Sequence, residues 1–154
     1  MEAECGDGKV HGRDQVRYLL DTSTLVDIFR GDREALFKLD MTPIQDVFTS
    51  SLVIAEIVAG MQGGKKKNSP TYKLSESFVN YANIEVFDTA AAKQAGYLLS
   101  VLAKSGKPIG QIDTLIAAHA LSLDAVLVTA NTKHFARVPD LKVENWSKRS
   151  KNNS

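Results

Sequence analysis

The chain carries one cysteine, four prolines and almost no net charge, with 19 Lys and Arg set against 18 Asp and Glu. A lone Cys5 excludes an internal disulfide and any zinc site built on thiolates. Nothing in that usage calls for an oxidising compartment, so an intracellular, cytoplasmic protein is expected. No apolar run approaches the roughly 20 residues that a membrane-spanning helix needs. The stretch from Met1 to Arg17 is polar and lacks the apolar centre of a signal peptide. A net charge of +1 denies the chain the broad basic surface of a duplex-coating protein, whose affinity rests on many phosphate contacts. An enzyme that grips a few phosphates through a local patch stays open. His11 falls in the N-terminal stretch, and His119 and His134 lack the paired spacing of a zinc site; both read as surface or packing residues. There is no phosphate-cradling glycine motif of the Walker or dinucleotide type.

What is present suits one soluble domain: 154 residues, 44% of them hydrophobic. Residues 1–15 hold Gly6, Gly8 and Gly12 without any period, and are expected to be a flexible extension. The folded domain is expected over 16–147, followed by a disordered tail over 148–154 made of Lys, Arg, Ser and Asn. Between the ends, strand and helix patterns alternate. Short apolar strands are expected near 17–20, 47–49, 84–87, 126–128 and 141–143. Helices fall between them, one marked by Leu74, Phe78 and Tyr81 at spacings of four and three. Such interleaving gives an α/β fold, a central parallel sheet with helices on both faces. Ligands in these folds bind beyond the carboxyl ends of the strands.

Three acidic residues fall where that sheet would gather them. Asp21 ends the run Tyr18-Leu19-Leu20 and precedes Thr22-Ser23, so it can cap a helix or hold a ligand. Glu56 sits among Val53, Ile54, Ile57 and Val58, where a buried carboxylate must be paired or meet a cation. Asp113 opens a helix, where the free amides and the dipole favour an acid in any case. Asp27 reads as surface, on the polar side of a short helix. The run Lys65-Lys66-Lys67 is either a solvated loop or a phosphate-steering patch. Carboxylates converging at strand ends without cysteine or paired histidine suit a hard divalent cation, Mg²⁺ or Mn²⁺. Metal-assisted phosphodiester hydrolysis is the chemistry that follows most directly.

These segments resemble the PIN-domain ribonucleases, and most closely the VapC-type toxins of toxin–antitoxin pairs. Leu19-Leu20-Asp21-Thr22-Ser23 with Leu25-Val26-Asp27 is similar to the family's opening motif. Ser51-Leu52-Val53-Ile54-Ala55-Glu56 is similar to the second, and Ile112-Asp113-Thr114-Leu115-Ile116-Ala117-Ala118 to the third. Thr129-Ala130-Asn131-Thr132-Lys133-His134-Phe135 corresponds to the fourth, and Val143-Glu144-Asn145-Trp146 to a common ending. The likeness covers roughly residues 17–147. It implies a PIN-like three-layer fold and a Mg²⁺- or Mn²⁺-dependent endonuclease acting on structured RNA such as tRNA or rRNA. It also implies a homodimer and a cognate VapB-like antitoxin as partner. The resemblance carries over Asp21, Glu56 and Asp113 as acidic metal ligands, Ser23 and Ser51 as their supports, and Thr129 as a polar neighbour. The chain departs from the family at Asn131, where Asp is frequent, and at His134, also often Asp. Asn131 can still offer a carbonyl oxygen but adds no charge.

Two other readings stand beside the toxin. A housekeeping PIN endonuclease of RNA maturation would lack an antitoxin. A non-catalytic PIN-like module would bind RNA or protein without cutting. A phosphatase using Asp21 as nucleophile is disfavoured, since Ser23 stands where such enzymes place a second Asp.

Overall fold

The structure, a computed structural model, describes residues 15–64 and 66–148. Apart from Gln15 and Lys148, the expected extension and tail lie outside the described residues, as does Lys65. The element order is β1 (Tyr18–Leu20), α1 (Thr22–Phe29), α2 (Arg33–Met41), a 3₁₀ turn (Ile44–Asp46), β2 (Val47–Ser50), α3 (Ser51–Gly63) and α4 (Pro70–Tyr81). There follow β3 (Ile84–Glu85), α5 (Thr89–Ser105), α6 (Gln111–Ser122), β4 (Val126–Val128), α7 (Thr132–Phe135) and β5 (Val143–Glu144).

All five strands are parallel, in the order β3-β2-β1-β4-β5. From β1 the chain steps outward to β2 and β3, then crosses back to β4 and steps the other way to β5. Parallel crossovers are right-handed almost without exception, so the two directions of travel put helices on opposite faces. The three-layer α/β expectation is met. Strand order reverses between β1 and β4, whose registers pair Leu20 with Val128. A crevice opens at such a reversal, beyond the carboxyl ends of the strands.

The strand sequences follow from this placement. Central strands of a parallel sheet are buried on both faces and read as continuous apolar runs. Leu19, Leu20, Leu127 and Val128 are accordingly buried. β2 is buried throughout although it ends in Thr49 and Ser50. Both polar groups are satisfied there. Thr49 Oγ1 donates to the Leu20 carbonyl at 2.8 Å, and Ser50 Oγ caps α3 by accepting from Leu52 N at 3.0 Å. The buried alanines of α5 and α6, Ala91, Ala95, Ala117 and Ala118, let those two helices lie close together.

The helix marked by Leu74, Phe78 and Tyr81 forms, but its inner face differs from that stripe. Phe78 packs edge-on against Phe29 at 5.6 Å between centroids, whereas Leu74 is 49% and Tyr81 85% exposed. Spacing sets which residues share a side of a helix. The neighbours set which side turns inward.

Candidate active site

Asp21 follows β1 directly and occupies the N-cap position of α1, yet its side chain makes no capping bond. The cap reading offered by the sequence therefore does not hold. Its backbone amide donates to the Val128 carbonyl at 2.9 Å, which seats the residue at the reversal between β1 and β4. Its carboxylate is 4% exposed and accepts through Oδ2 from Thr129 Oγ1 at 2.8 Å and from Ser23 Oγ at 3.3 Å. The two hydroxyls are themselves 3.2 Å apart, and Ser23 Oγ accepts from Ala130 N at 3.0 Å. Thr129 Oγ1 also accepts from Asn131 N at 3.1 Å. Thr129 after β4 and Ser23 in α1 thus hold Oδ2 with hydroxyl donors, and the Thr22 amide adds a backbone bond to the same carboxylate.

Glu56 and Asp113 reach the same place from other elements. Glu56, one and a half turns into α3, accepts from Thr22 Oγ1 at 2.5 Å through Oε1. Asp113 lies in the first turn of α6, which Gly110 opens with a φ of +97°. That left-handed backbone costs little only for glycine and turns the chain sharply into the helix. Asp113 Oδ2 is 2.8 Å from His134 Nε2.

Electrostatics tie the three acids together. Burial pushes the Asp21 carboxyl above its ordinary range. Bonds from the Thr129 hydroxyl and the Thr22 backbone pull it down, while the charges of Asp113 and Glu56 push it up again. Among the described residues no Lys or Arg forms an ion pair with any of the three. A buried carboxylate with two like charges nearby and no fixed counter-charge is a place where a hard cation is favoured. Among the described residues no three His, Cys, Asp or Glu side chains form a ready-made metal cage.

The other expected participants divide. Ser23 and Thr129 contact Asp21 directly. Ser51 does not support an acid: its Oγ accepts from the Phe87 amide at 3.0 Å and ties α3 to the strand beside it. Asn131 is exposed and precedes α7 without a side-chain cap; its amide donates to Thr129 Oγ1, and its carbonyl accepts from the His134 and Phe135 amides. His119 is a packing residue, as expected, 1% exposed and bonded through Nδ1 to Ser50 Oγ at 2.8 Å.

Two more residues stand at the site, Thr22 on Glu56 and His134 on Asp113. For Thr22 the signal in the sequence is a hydroxyl next to Asp21. For His134 the paired spacing of zinc ligands is the wrong signal, because it misses a histidine bonded to an acid.

Beside Glu56 a cleft of about 560 Å³ opens between α1, α3 and α4. Val26, Phe29, Ile57 and Met61 give it apolar walls, and Arg30 and Lys66 add positive charge.

A model of the PIN domain family matches residues 18–141. Ribonuclease VapC2 of Rickettsia felis is 36% identical over 138 residues, covering 85% of this chain and 98% of that protein. The tRNA(fMet)-specific endonuclease VapC of Salmonella typhimurium is 29% identical over 133 residues, covering 85% of this chain and 98% of its own. Among solved structures, VapBC2 from Rickettsia felis bound to a promoter DNA fragment matches with a TM-score of 0.78 and 31% identity. That match covers 86% of this chain and 100% of the solved one. With its doubly wound sheet, its acids at the strand reversal and these relatives, the chain belongs to the PIN domain family, in its VapC branch.

Proposed function

We propose that the chain is the toxin of a toxin–antitoxin pair, an endoribonuclease that uses Mg²⁺ or Mn²⁺ to hydrolyse phosphodiester bonds in structured RNA. The observation that carries this is Asp21, buried at the strand reversal with Glu56 and Asp113 close enough to push its carboxyl up. A ribonuclease name on a relative 36% identical supports the reaction class, and a tRNA(fMet)-specific name on another points first to tRNA. Unpaired loops are the parts of structured RNA that proteins read by sequence.

Asp21 and Asp113 would hold the ion, with Glu56 directly or through water. When bound, a divalent ion lowers the pKa of water and stabilises charge on a phosphoryl oxygen. The protein's own groups do the rest. Thr129 and Ser23 fix Asp21 Oδ2 by hydrogen bonds, so the other oxygen points without rotating. Thr22 restrains Glu56 in the same way. Held geometry of this kind removes the reorganisation that the reaction would otherwise require. No protein nucleophile is needed.

Complexes named VapBC among the solved relatives support a VapB-like antitoxin as partner. The cleft beside Glu56 is its proposed seat, since an apolar and partly basic groove bordering the acids lets one segment block both metal and substrate.

The test is cleavage of total tRNA and ribosomal RNA with Mg²⁺ or Mn²⁺, beside EDTA and Asp113→Asn controls. Discrete fragments that vanish in both controls are expected. Intact RNA from folded, antitoxin-free protein would turn the assignment to a non-catalytic binding module.

A further inference from the structure

His134 belongs to the fourth motif, three residues after Asn131, and neither metal ligation nor the buried hydroxyl network around Asp21 uses it. Its Nε2 lies 2.8 Å from Asp113 Oδ2 and 2.7 Å from the carbonyl oxygen of Ile109. A carbonyl can only accept, so the contact with Ile109 places the proton on Nε2. The same N–H is then shared with the Asp113 carboxylate in a three-centre bond. Ile109 is 4% exposed and immediately precedes Gly110, the residue that turns the chain into α6. The ring is also set edge-on to Phe135, with centroids 5.5 Å apart and planes at 86°, and Phe135 is fully buried. His134 is therefore a donor fixed from two sides: by a buried backbone acceptor and by an immobile aromatic neighbour.

We propose that His134 is a positioning residue: its Nε2–H holds Asp113 Oδ2 so that the remaining carboxylate oxygen faces the metal site. The role follows from contrast with Asp21. That carboxylate is oriented by the Thr129 and Ser23 hydroxyls, and Glu56 by Thr22, whereas Asp113 has only His134 among the described side chains. Asp113 is also about one-third exposed, and among the described side chains no other hydrogen bond or ion pair holds its carboxylate. A bond between a metal-binding carboxylate and a fixed donor contributes about 10- to 100-fold to metal affinity or activity. The interaction also couples the fourth motif to the third, binding α7 to the entrance of α6. It gives the non-acidic fourth motif of this chain a function that the missing Asp does not supply.

The inference rests on the metal-dependent reading, and the experiment separates the two. Mn²⁺ binding to the RNA-free protein is measured by electron paramagnetic resonance for wild type, Asp113→Asn, His134→Ala, His134→Asn and His134→Gln, alongside kcat and KM on tRNA. Gln places an N–H near the position of Nε2, and Asn does not reach it. His134→Ala and His134→Asn are expected to weaken Mn²⁺ binding by about 10-fold or more and lower kcat with little change in KM. His134→Gln is expected to restore most of both. Unchanged Mn²⁺ affinity in His134→Ala, with Asp113→Asn impaired, would overturn the positioning role alone. A rise confined to KM would also overturn it and make His134 a contact to RNA. Equal loss in the Gln, Asn and Ala variants would overturn it in favour of a packing role. Failure of the wild type itself to bind Mn²⁺ would overturn the metal reading, and this inference with it.

Discussion

Asp21 carries a conflict that a single atom resolves. Its carboxylate is placed where ionisation is disfavoured by burial and by two neighbouring acids, yet it must be ionised to attract a cation. A neutral amide of the same shape escapes the conflict and can still accept from Thr129 and Ser23. Asp21→Asn is therefore expected to lower kcat by about 10²-fold or more while stabilising the metal-free fold. The gain should appear as a rise of about 2–4 °C in the unfolding midpoint, the shift that ~1 kcal/mol gives in a chain of this size. The sign has a pH signature. Because the folded pKa lies above the ordinary 3.8, the wild type regains stability as pH falls through that raised value, and the advantage of the variant closes. Calorimetry in EDTA across acidic pH checks this; a variant no more stable than wild type at pH 7 would refute the strain. That Asp21, Glu56 and Asp113 lie near one another was legible in the sequence, because a parallel sheet gathers residues placed just beyond its strand ends. Their supporting donors were legible only in part. Ser23 and Thr129 bond to Asp21, but Ser51, equally polar and set at the end of β2, accepts from the Phe87 amide. A hydroxyl's direction is a property of its rotamer and neighbours, and no spacing rule contains it.

At the scale of elements, helix starts are held by local contacts, whereas the ties between distant segments lie outside any local pattern. Asp32, Ser50, Ser69 and Asp88 each accept a hydrogen bond at the start of a helix, from Ala35, Leu52, Tyr72 and Ala91. These are local contacts between residues two or three apart, and local pattern shows them. Asp32 does more than cap. Its carboxylate is 5% exposed and also accepts from the Lys148 amide, at 3.2 Å to Oδ1 and 3.1 Å to Oδ2. One side chain thus joins the start of α2 to the segment after β5, across 116 residues of sequence. Losing a cap costs about 1 kcal/mol, and losing the bond from the Lys148 amide to the carboxylate costs roughly 1–2 more. Asp32→Ala is expected to destabilise the fold by ~2–3 kcal/mol in denaturant titration, with Mn²⁺ affinity unchanged in the folded fraction. A cost below ~1 kcal/mol would mean the Lys148 tie adds nothing to the cap. The α4 face shows the same limit from the apolar side. Leu74 and Tyr81 share a stripe with Phe78, but only the helix's contact with Phe29 decides that Phe78 turns inward.

For the molecule as a whole, the strand order brings one more titratable group into the interior, and it sets how the fold responds to acid. His119 in α6 lies against the end of β2 and the segment after β3, between Ser50 and the ring of Phe87, 5.4 Å away and edge-on. Burial lowers its pKa below the ordinary 6.5, although Asp88, Glu85 and a backbone bond to Val86 act in the opposite direction. The folded chain therefore binds fewer protons at this ring than the unfolded chain does once pH falls below about 6.5. Stability contributed by the neutral ring is whole above that pH and is lost progressively as pH descends toward the lowered folded value. Asp21 has the opposite sign, because its carboxyl is raised, so the net curve of the wild type mixes the two. A substitution isolates the histidine. His119→Asn keeps a polar atom near Nδ1 for Ser50 and removes the titration. It should be less stable than wild type at pH 7.5, through lost contact with Phe87, and the deficit should shrink between pH 6.5 and 5. Parallel stability curves for the two proteins over that range would show that the ring takes up protons equally in the folded and the unfolded chain, and would refute the lowered pKa. Converging curves would assign that acid-linked loss of stability to the ring buried between α6 and the β2–β3 edge.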